Sequence, residues 1–172
     1  MIQLSSFLWF TIFLFGAVGY LRGFDKEAIA LSGLILALFT LVQFDGFFEQ
    51  LASGAGLSQL FWLKAIFLIS IAFFAYQTPP DRFIKSRTRR DQWQSRLLGG
   101  GLGAINGYLL FGSLWYFMDQ LQYPLNPHVT TPSPDSPSAE MVNILPLVWM
   151  QQGNLLTLMV IGLFIFIIIF VI

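Results

Sequence analysis

The stretch GYLRGFDKEAIALSGL, residues 19–34, joins two long apolar segments through the first charged residues of the chain. Residues 1–21 contain no charged side chain, and a helix needs about 20 apolar residues to cross the hydrocarbon core of a bilayer. Residues 28–44 are again free of charge. The stretch therefore predicts a tight hairpin between two membrane-spanning helices.

The composition of the whole chain agrees with a membrane location. Of the 172 residues, 56% are hydrophobic and 10% are charged, whereas soluble domains carry about 25% charged residues. The net charge is zero, so no overall field attracts nucleic acid. The lack of cysteine excludes thiol chemistry, and a single histidine excludes the usual multi-histidine metal sites. We therefore expect no cofactor, no metal and no nucleic-acid partner.

Three further apolar segments predict additional spans, at residues 57–76, 97–118 and 155–172. The expected fold class is all-α, a multi-pass helical membrane protein. Its expected organisation is a four-helix membrane domain, an extracytoplasmic Pro/Ser-rich linker with a short interfacial segment, and a fifth transmembrane helix, over residues 1–118, 119–153 and 154–172.

Three segments require a choice between interpretations. Residues 1–21 could be a secretory signal peptide or a retained membrane helix. The opening MIQLSS has no basic residue, which favours the retained helix. Residues 123–139 hold five of the eight prolines and predict an extended, water-exposed connection. Residues 141–150 are too short to span a bilayer. They are compatible with a re-entrant segment or a fifth helix kinked at Pro146, but an interfacial segment is favoured.

The charges of the connecting segments predict the orientation. Residues 78–96 contain six of the nine basic residues, and short basic loops stay in the cytoplasm. Residues 45–56 and 119–153 carry acidic residues and no basic residue. The pattern predicts an N-terminus outside the cytoplasm and a cytoplasmic C-terminus.

Glycines recur every four residues in the predicted fourth helix, at Gly99, Gly103 and Gly107. In lipid, such a face permits close packing of helices. A phosphate-binding loop is the alternative, but GGGLG lacks the following Lys-Ser/Thr and a preceding strand. Gly19 and Gly23 have the same spacing and offer a matching face on the first helix. We therefore expect Gly103→Leu to break assembly.

Lys64 and Asn106 lie inside predicted spans and form a candidate in-membrane polar site. A charge within a span is a functional hypothesis by default, here an anion or substrate contact, but snorkelling of Lys64 to the outer interface is favoured. For Asn106, an interhelical hydrogen bond is favoured over a polar cavity. His128, in the proline-rich segment, is expected to be solvated. Since no nucleophile–base pair is evident, no catalytic residue is predicted.

Two of these stretches, taken together, resemble the colicin V production protein (CvpA) family of bacterial inner-membrane proteins. The first motif is carried by Gly19 and by Arg22, Gly23, Phe24 and Glu27. The second begins at Arg96 and continues through the glycine run to Gly107. The resemblance covers about residues 1–150 and implies four family helices, with the fifth helix as an addition.

The chain departs from the family pattern at two positions. It has Asn106 where the family usually has Arg, and Ser95 where an Asp usually precedes Arg96. These changes remove a charged pair, so any mechanism that depends on that pair is in doubt for this chain.

The resemblance implies an envelope protein of the bacterial inner membrane, in contact with the lipid bilayer. It implies a scaffold or a transport- or secretion-associated component without catalytic activity, working as a homo-oligomer or as a subunit of a membrane complex. The alternative is an accessory structural subunit of a larger respiratory or photosynthetic complex. That alternative is suggested by the extra helix and the 19 phenylalanines.

Overall fold

The computed structural model describes residues 3–54, 56–77 and 89–171, with side chains for all of these except residues 89–91 and 166–171. Within these residues the chain forms eight α-helices, a 3-10 turn at Gln152–Asn154, and no strand. The helices are α1 (Leu4–Arg22), α2 (Phe24–Gln43), α3 (Asp45–Leu51), α4 (Leu57–Tyr76), α5 (Arg89–Gln120), α6 (Pro137–Val142), α7 (Pro146–Met150) and α8 (Leu155–Val171).

Several of these helices are long and apolar enough to cross a membrane. Three single helices meet this criterion by length and composition, namely α1, α4 and residues 92–120 of α5. Two pairs of consecutive helices meet the criterion when each pair is counted as one bent span: α2 with α3, bent by 70°, and residues 137–150 with residues 152–165, bent by 48°. The described residues thus hold three to five candidate spans. The chain is an all-α, multi-pass membrane protein, as its sequence predicts.

A single residue, Gly23, separates α1 from α2. Its φ of 83° and ψ of 167° lie in a region that is costly for residues with a Cβ. The Gly23 amide donates to the Gly19 carbonyl at 2.8 Å and closes α1. The tight hairpin expected here is present, but α2 begins at Phe24 rather than at residue 28, so Asp25 and Glu27 lie in its first turn.

The glycine faces of α1 and α5 pack directly against each other. A Cβ on Gly19 would lie 2.8 Å from the Cα of Gly103, and a Cβ on Gly99 would lie 2.7 Å from the Cα of Gly23. A Cβ on Gly107 would lie 2.8 Å from the Cβ of Phe15. Because real Cβ atoms do not approach other atoms so closely, only glycine allows this contact, and it lies within one chain.

The other long helices close the bundle around α2. Leu34 and Leu38 of α2 and Leu68 of α4 are each 0% exposed and form the centre of the apolar core. α8 packs mainly against α2 and leaves large apolar side chains exposed, such as Leu158 and Phe164. An apolar outer face of this kind suits contact with lipid.

Residues 121–154, which we call the cap, follow α5. The connection predicted at residues 123–139 is exposed at most positions from 126 to 137, whereas both ends of the cap pack onto the bundle. Tyr123 is 3% exposed and accepts a hydrogen bond from Trp115 Nε1 at 3.1 Å. Burial raises the pKa of Tyr123 to about 12. Pro146 of α7 packs over Gly112, and a Cβ on Gly112 would lie 2.5 Å from Cδ of Pro146. Apolar residues between the prolines thus give the cap a face to bury.

The structure also gives the short segments next to the spans a defined form. Residues 45–51, predicted as part of a loop, form α3. Residues 141–150 contribute the end of α6 and all of α7. Gly153 and Asn154, with φ of 60° and 58°, break the chain between α7 and α8. α8 is therefore not a straight continuation of α7, and the arrangement is that of a broken span or a re-entrant loop.

Candidate functional site

Glu27 is a completely buried carboxylate in the first turn of α2, at 0% exposure. Its Oε1 accepts a hydrogen bond from Arg22 Nη1 at 2.5 Å. Its Oε2 accepts from the Tyr76 hydroxyl at 3.0 Å and from Asn106 Nδ2 at 2.8 Å. These donors belong to α1, α4 and α5, so one carboxylate on α2 links four helices of the bundle. We call Arg22, Glu27, Tyr76 and Asn106 the Glu27 cluster.

The remaining polar groups of the Glu27 cluster are also largely paired. Arg22 Nη2 donates to the Tyr76 carbonyl at 2.8 Å, and the guanidinium carbon lies 4.3 Å from the centre of the Tyr76 ring. Asn106 Nδ2 also donates to the Glu27 carbonyl at 3.1 Å. Asn106 Oδ1 is buried without a hydrogen-bond partner among the described residues. Burying a charge is tolerable only when it is paired and hydrogen-bonded, and Glu27 meets both conditions.

The family-motif residues divide between this cluster and its surroundings. Arg22 and Glu27 form an ion pair, and Gly23 makes the turn between them. The Phe24 amide donates to Ser95 Oγ at 3.2 Å, and Arg96 lies on an exposed face of α5.

The departures at residues 95 and 106 belong to separate contacts. Asn106, in place of the family's usual Arg, donates to Glu27, while Ser95 accepts from the start of α2. The interhelical hydrogen bond expected for Asn106 is present. The participation of Tyr76 was not expected, since a tyrosine at the end of an apolar span is also typical of a membrane interface.

A second charged group lies at the opposite end of the bundle. Lys64 is 6% exposed, and its Nζ lies 2.5 Å from Asp45 Oδ1. The amine also lies 5.6 Å from the centre of the Phe117 ring. The Lys64 amine thus pairs with a half-exposed carboxylate at the α2–α3 bend, and its extension toward the outer interface stays a prediction. We call these two residues the Lys64–Asp45 pair.

The Lys64–Asp45 pair lines a cavity of about 270 Å³. Besides this pair, the polar side chains that line it are Tyr116, Gln120 and Gln151. Gln151 Nε2 donates to the Tyr116 hydroxyl at 3.3 Å. The cavity thus combines a cation, an anion and three neutral hydrogen-bonding groups.

The sequence contains one signal for this pair that could have been used. Asp45 directly follows the second predicted span, and the basic-loop rule puts that end on the same side as the start of the third helix, where Lys64 lies. His128, by contrast, is exposed in the cap, as expected. Over the parts of the chain that the structure describes, no group of His, Cys, Asp and Glu residues could hold a metal ion.

One comparison with known proteins identifies relatives of the chain. A family model described as Colicin V production protein matches residues 4–160. The match includes both motifs, the Glu27 cluster and the Lys64–Asp45 pair, and it reaches the first turns of α8. No curated protein and no solved structure matches the chain.

Proposed function

The chain belongs to the colicin V production protein family, and from that premise we propose that it is a membrane-embedded scaffold that supports transport or secretion and has no catalytic activity. Membership of the family makes it an integral membrane protein of the bacterial envelope. The scaffold role is supported by one observation, the Glu27 cluster, which links α1, α2, α4 and α5.

A fixed bundle favours a scaffold over a moving carrier. Buried polar networks rigidify the core that holds them when their members are satisfied. In the Glu27 cluster both carboxylate oxygens of Glu27 accept hydrogen bonds from other helices, although Asn106 Oδ1 has no partner among the described residues. Many carriers instead rock one group of helices against another to alternate access to a site. Such rocking would have to break the Glu27 cluster and the direct backbone contact between α1 and α5. We propose that the protein works as a homo-oligomer or together with other membrane proteins. No observation supports an accessory subunit of a respiratory or photosynthetic complex, and we do not propose it.

A disulfide between α1 and α5 tests whether these two helices keep a fixed position relative to each other while the protein functions. A Cβ on Gly16 would lie 3.5 Å from Ala104 Cβ, at the short end of the range of about 3.5–4.5 Å for disulfides. Since the chain has no cysteine, a Gly16→Cys/Ala104→Cys variant should form this bond with a mild oxidant. We expect the oxidised variant to rescue the secretion or envelope defect of a strain that lacks the protein.

The matched control is Gly16→Cys/Gly101→Cys. A Cβ on Gly101 meets no atom within 4 Å, so we expect no disulfide, measured by counting free thiols with a maleimide in mass spectrometry. If the Gly16–Ala104 disulfide forms and abolishes the phenotypic rescue only under oxidising conditions, the bundle must move, and the scaffold proposal fails.

We further propose that the protein lies in the inner membrane with its N-terminus outside and its C-terminus in the cytoplasm. The support is the basic segment at residues 78–96 and the absence of basic residues from residues 119–153. In single-cysteine variants, we expect a membrane-impermeant maleimide to label Ser133→Cys from outside the inner membrane. Thr88→Cys should react only after permeabilisation of that membrane. The reverse labelling pattern would contradict this orientation.

A further inference from the structure

We propose that the cavity at the Lys64–Asp45 pair binds the headgroup of a zwitterionic lipid, with the phosphate on Lys64 and the ammonium on Asp45. This concerns a ligand of the protein and is independent of the proposed scaffold role. It starts from a buried amine and a carboxylate that both line a cavity of about 270 Å³. Pockets for drug-sized ligands measure roughly 300–1,000 Å³, so this cavity suits a small polar group.

The charges of the Lys64–Asp45 pair determine the class of ligand. The Lys64 side chain is 8% exposed and the Asp45 side chain is 50% exposed. A cation on Asp45 would leave the buried Lys64 amine unpaired, which is strongly unfavourable, and an anion on Lys64 would be repelled by the adjacent Asp45 carboxylate. A zwitterion replaces one ion pair by two and keeps every charge paired. It also leaves the net charge of the site unchanged.

Hydrogen bonding at the site points to an ammonium that carries hydrogens. Although Lys64 Nζ is only 2.5 Å from Asp45 Oδ1, this buried oxygen accepts no hydrogen bond of acceptable geometry from the described residues. Buried carboxylate oxygens normally accept such bonds, and a primary ammonium can donate one. On the phosphate side, the Tyr116 hydroxyl accepts from Gln151 Nε2 at 3.3 Å, so its own proton can point to a phosphate oxygen.

The position of the cavity favours a lipid over a soluble zwitterion. Lys64 lies seven residues after the first residue of α4, about 10 Å along the helix axis. This depth is close to the boundary between the headgroups and the hydrocarbon of a bilayer. Phe44 and Phe47, on either side of Asp45, are 54% and 56% exposed. They provide an apolar surface next to the cavity against which acyl chains can pack.

Native mass spectrometry of the full-length protein in mild detergent tests the proposal. The probes are phosphatidylethanolamine, phosphatidylcholine, phosphatidylglycerol and soluble O-phosphoethanolamine, each added in a titration. We expect one phosphatidylethanolamine to bind about tenfold more tightly than phosphatidylglycerol, the effect of one charge-assisted hydrogen bond. Phosphatidylcholine should bind more weakly than phosphatidylethanolamine, since its methylated ammonium cannot donate to Asp45.

The decisive variant is Lys64→Met/Asp45→Leu, which removes both charges together. Because both charges are removed together, the buried Lys64 amine is not left unpaired, so this variant should fold and lose the preference for phosphatidylethanolamine. Tyr116→Phe keeps the ring and should weaken phosphatidylethanolamine binding about threefold. The control Lys26→Met/Glu140→Leu removes one charge of each sign from residues that do not line the cavity and should bind like the original protein.

Three results would each overturn the proposal. The first is equal binding of phosphatidylethanolamine and phosphatidylglycerol by the original protein. The second is an unchanged preference in Lys64→Met/Asp45→Leu. The third is tight binding of O-phosphoethanolamine without binding of phosphatidylethanolamine, which would make the ligand a soluble zwitterion. None of these results depends on the disulfide experiment, so the failure of one proposal is distinguishable from failure of the other.

Discussion

Gly103→Leu is expected to force α1 away from α5 and to lower the free energy of unfolding by about 3 kcal/mol, the upper end of the usual cost of overpacking. A Cβ on Gly103 would already lie 2.9 Å from the Cα of Gly19, and backbone atoms cannot rotate out of the way. A leucine adds three further carbon atoms at the same place. Thermal unfolding in detergent, followed by circular dichroism, measures the loss.

Gly101→Leu is the matched control for this experiment. Gly101 lies two residues earlier on α5, and a Cβ there meets no atom within 4 Å. We expect this variant to unfold close to the temperature of the original protein. Equal unfolding temperatures for the two leucine variants would show that α1 and α5 do not touch at their glycines. The sequence alone predicts that Gly103→Leu disrupts assembly between chains, whereas in the structure the contact that it disrupts joins α1 and α5 of one chain.

Glu27→Ala is expected to have a similarly large effect on stability. It would leave the Arg22 guanidinium without its counter-charge and would remove the acceptor of Tyr76 and Asn106. Removing one partner of a buried ion pair costs about 3–5 kcal/mol. Because the Arg22 side chain is 18% exposed and also donates to the Tyr76 carbonyl, we expect the lower end, about 3 kcal/mol.

Two further variants separate the ion pair from the rest of the Glu27 cluster. Glu27→Gln keeps a carbonyl oxygen as an acceptor and should lose less stability than Glu27→Ala. Glu49→Ala removes an exposed carboxylate from α3 and should change stability by at most about 0.5 kcal/mol. The same thermal unfolding measurement applies to all three. If Glu27→Ala proved as stable as Glu49→Ala, the Glu27 cluster would contribute nothing to holding the helices together.

The sequence predicts the long elements of this fold well, and the reasons are physical. Uncharged segments of spanning length must satisfy their backbone hydrogen bonds internally, so residues 57–76 could hardly form anything but a helix. The glycines spaced by four residues similarly identify the faces of α1 and α5 that touch. The cap was harder to predict, since five prolines describe the local backbone and not whether Tyr123 finds a place in the core.

The polar contacts were only partly predictable. Arg22 and Glu27 are close in sequence, but a carboxylate in the first turn of a helix is usually explained by the helix dipole. Its complete burial follows from the approach of α4 and α5, which no local pattern describes. Lys64 and Asp45 are 19 residues apart, and their pairing depends on the 70° bend between α2 and α3.

The short distance between Arg22 and Glu27 along the chain also matters for how the protein enters the membrane. A charged residue at the centre of a spanning helix adds about 2.5–3.5 kcal/mol to the cost of insertion, and Glu27, in the first turn of α2, also needs a partner because it is completely buried. Tyr76 and Asn106 are synthesised only after the first two helices. Arg22, however, lies five residues before Glu27, across the single-residue turn at Gly23. The α1–α2 hairpin therefore holds the counter-ion of Glu27 before α4 and α5, which carry Tyr76 and Asn106, have been synthesised.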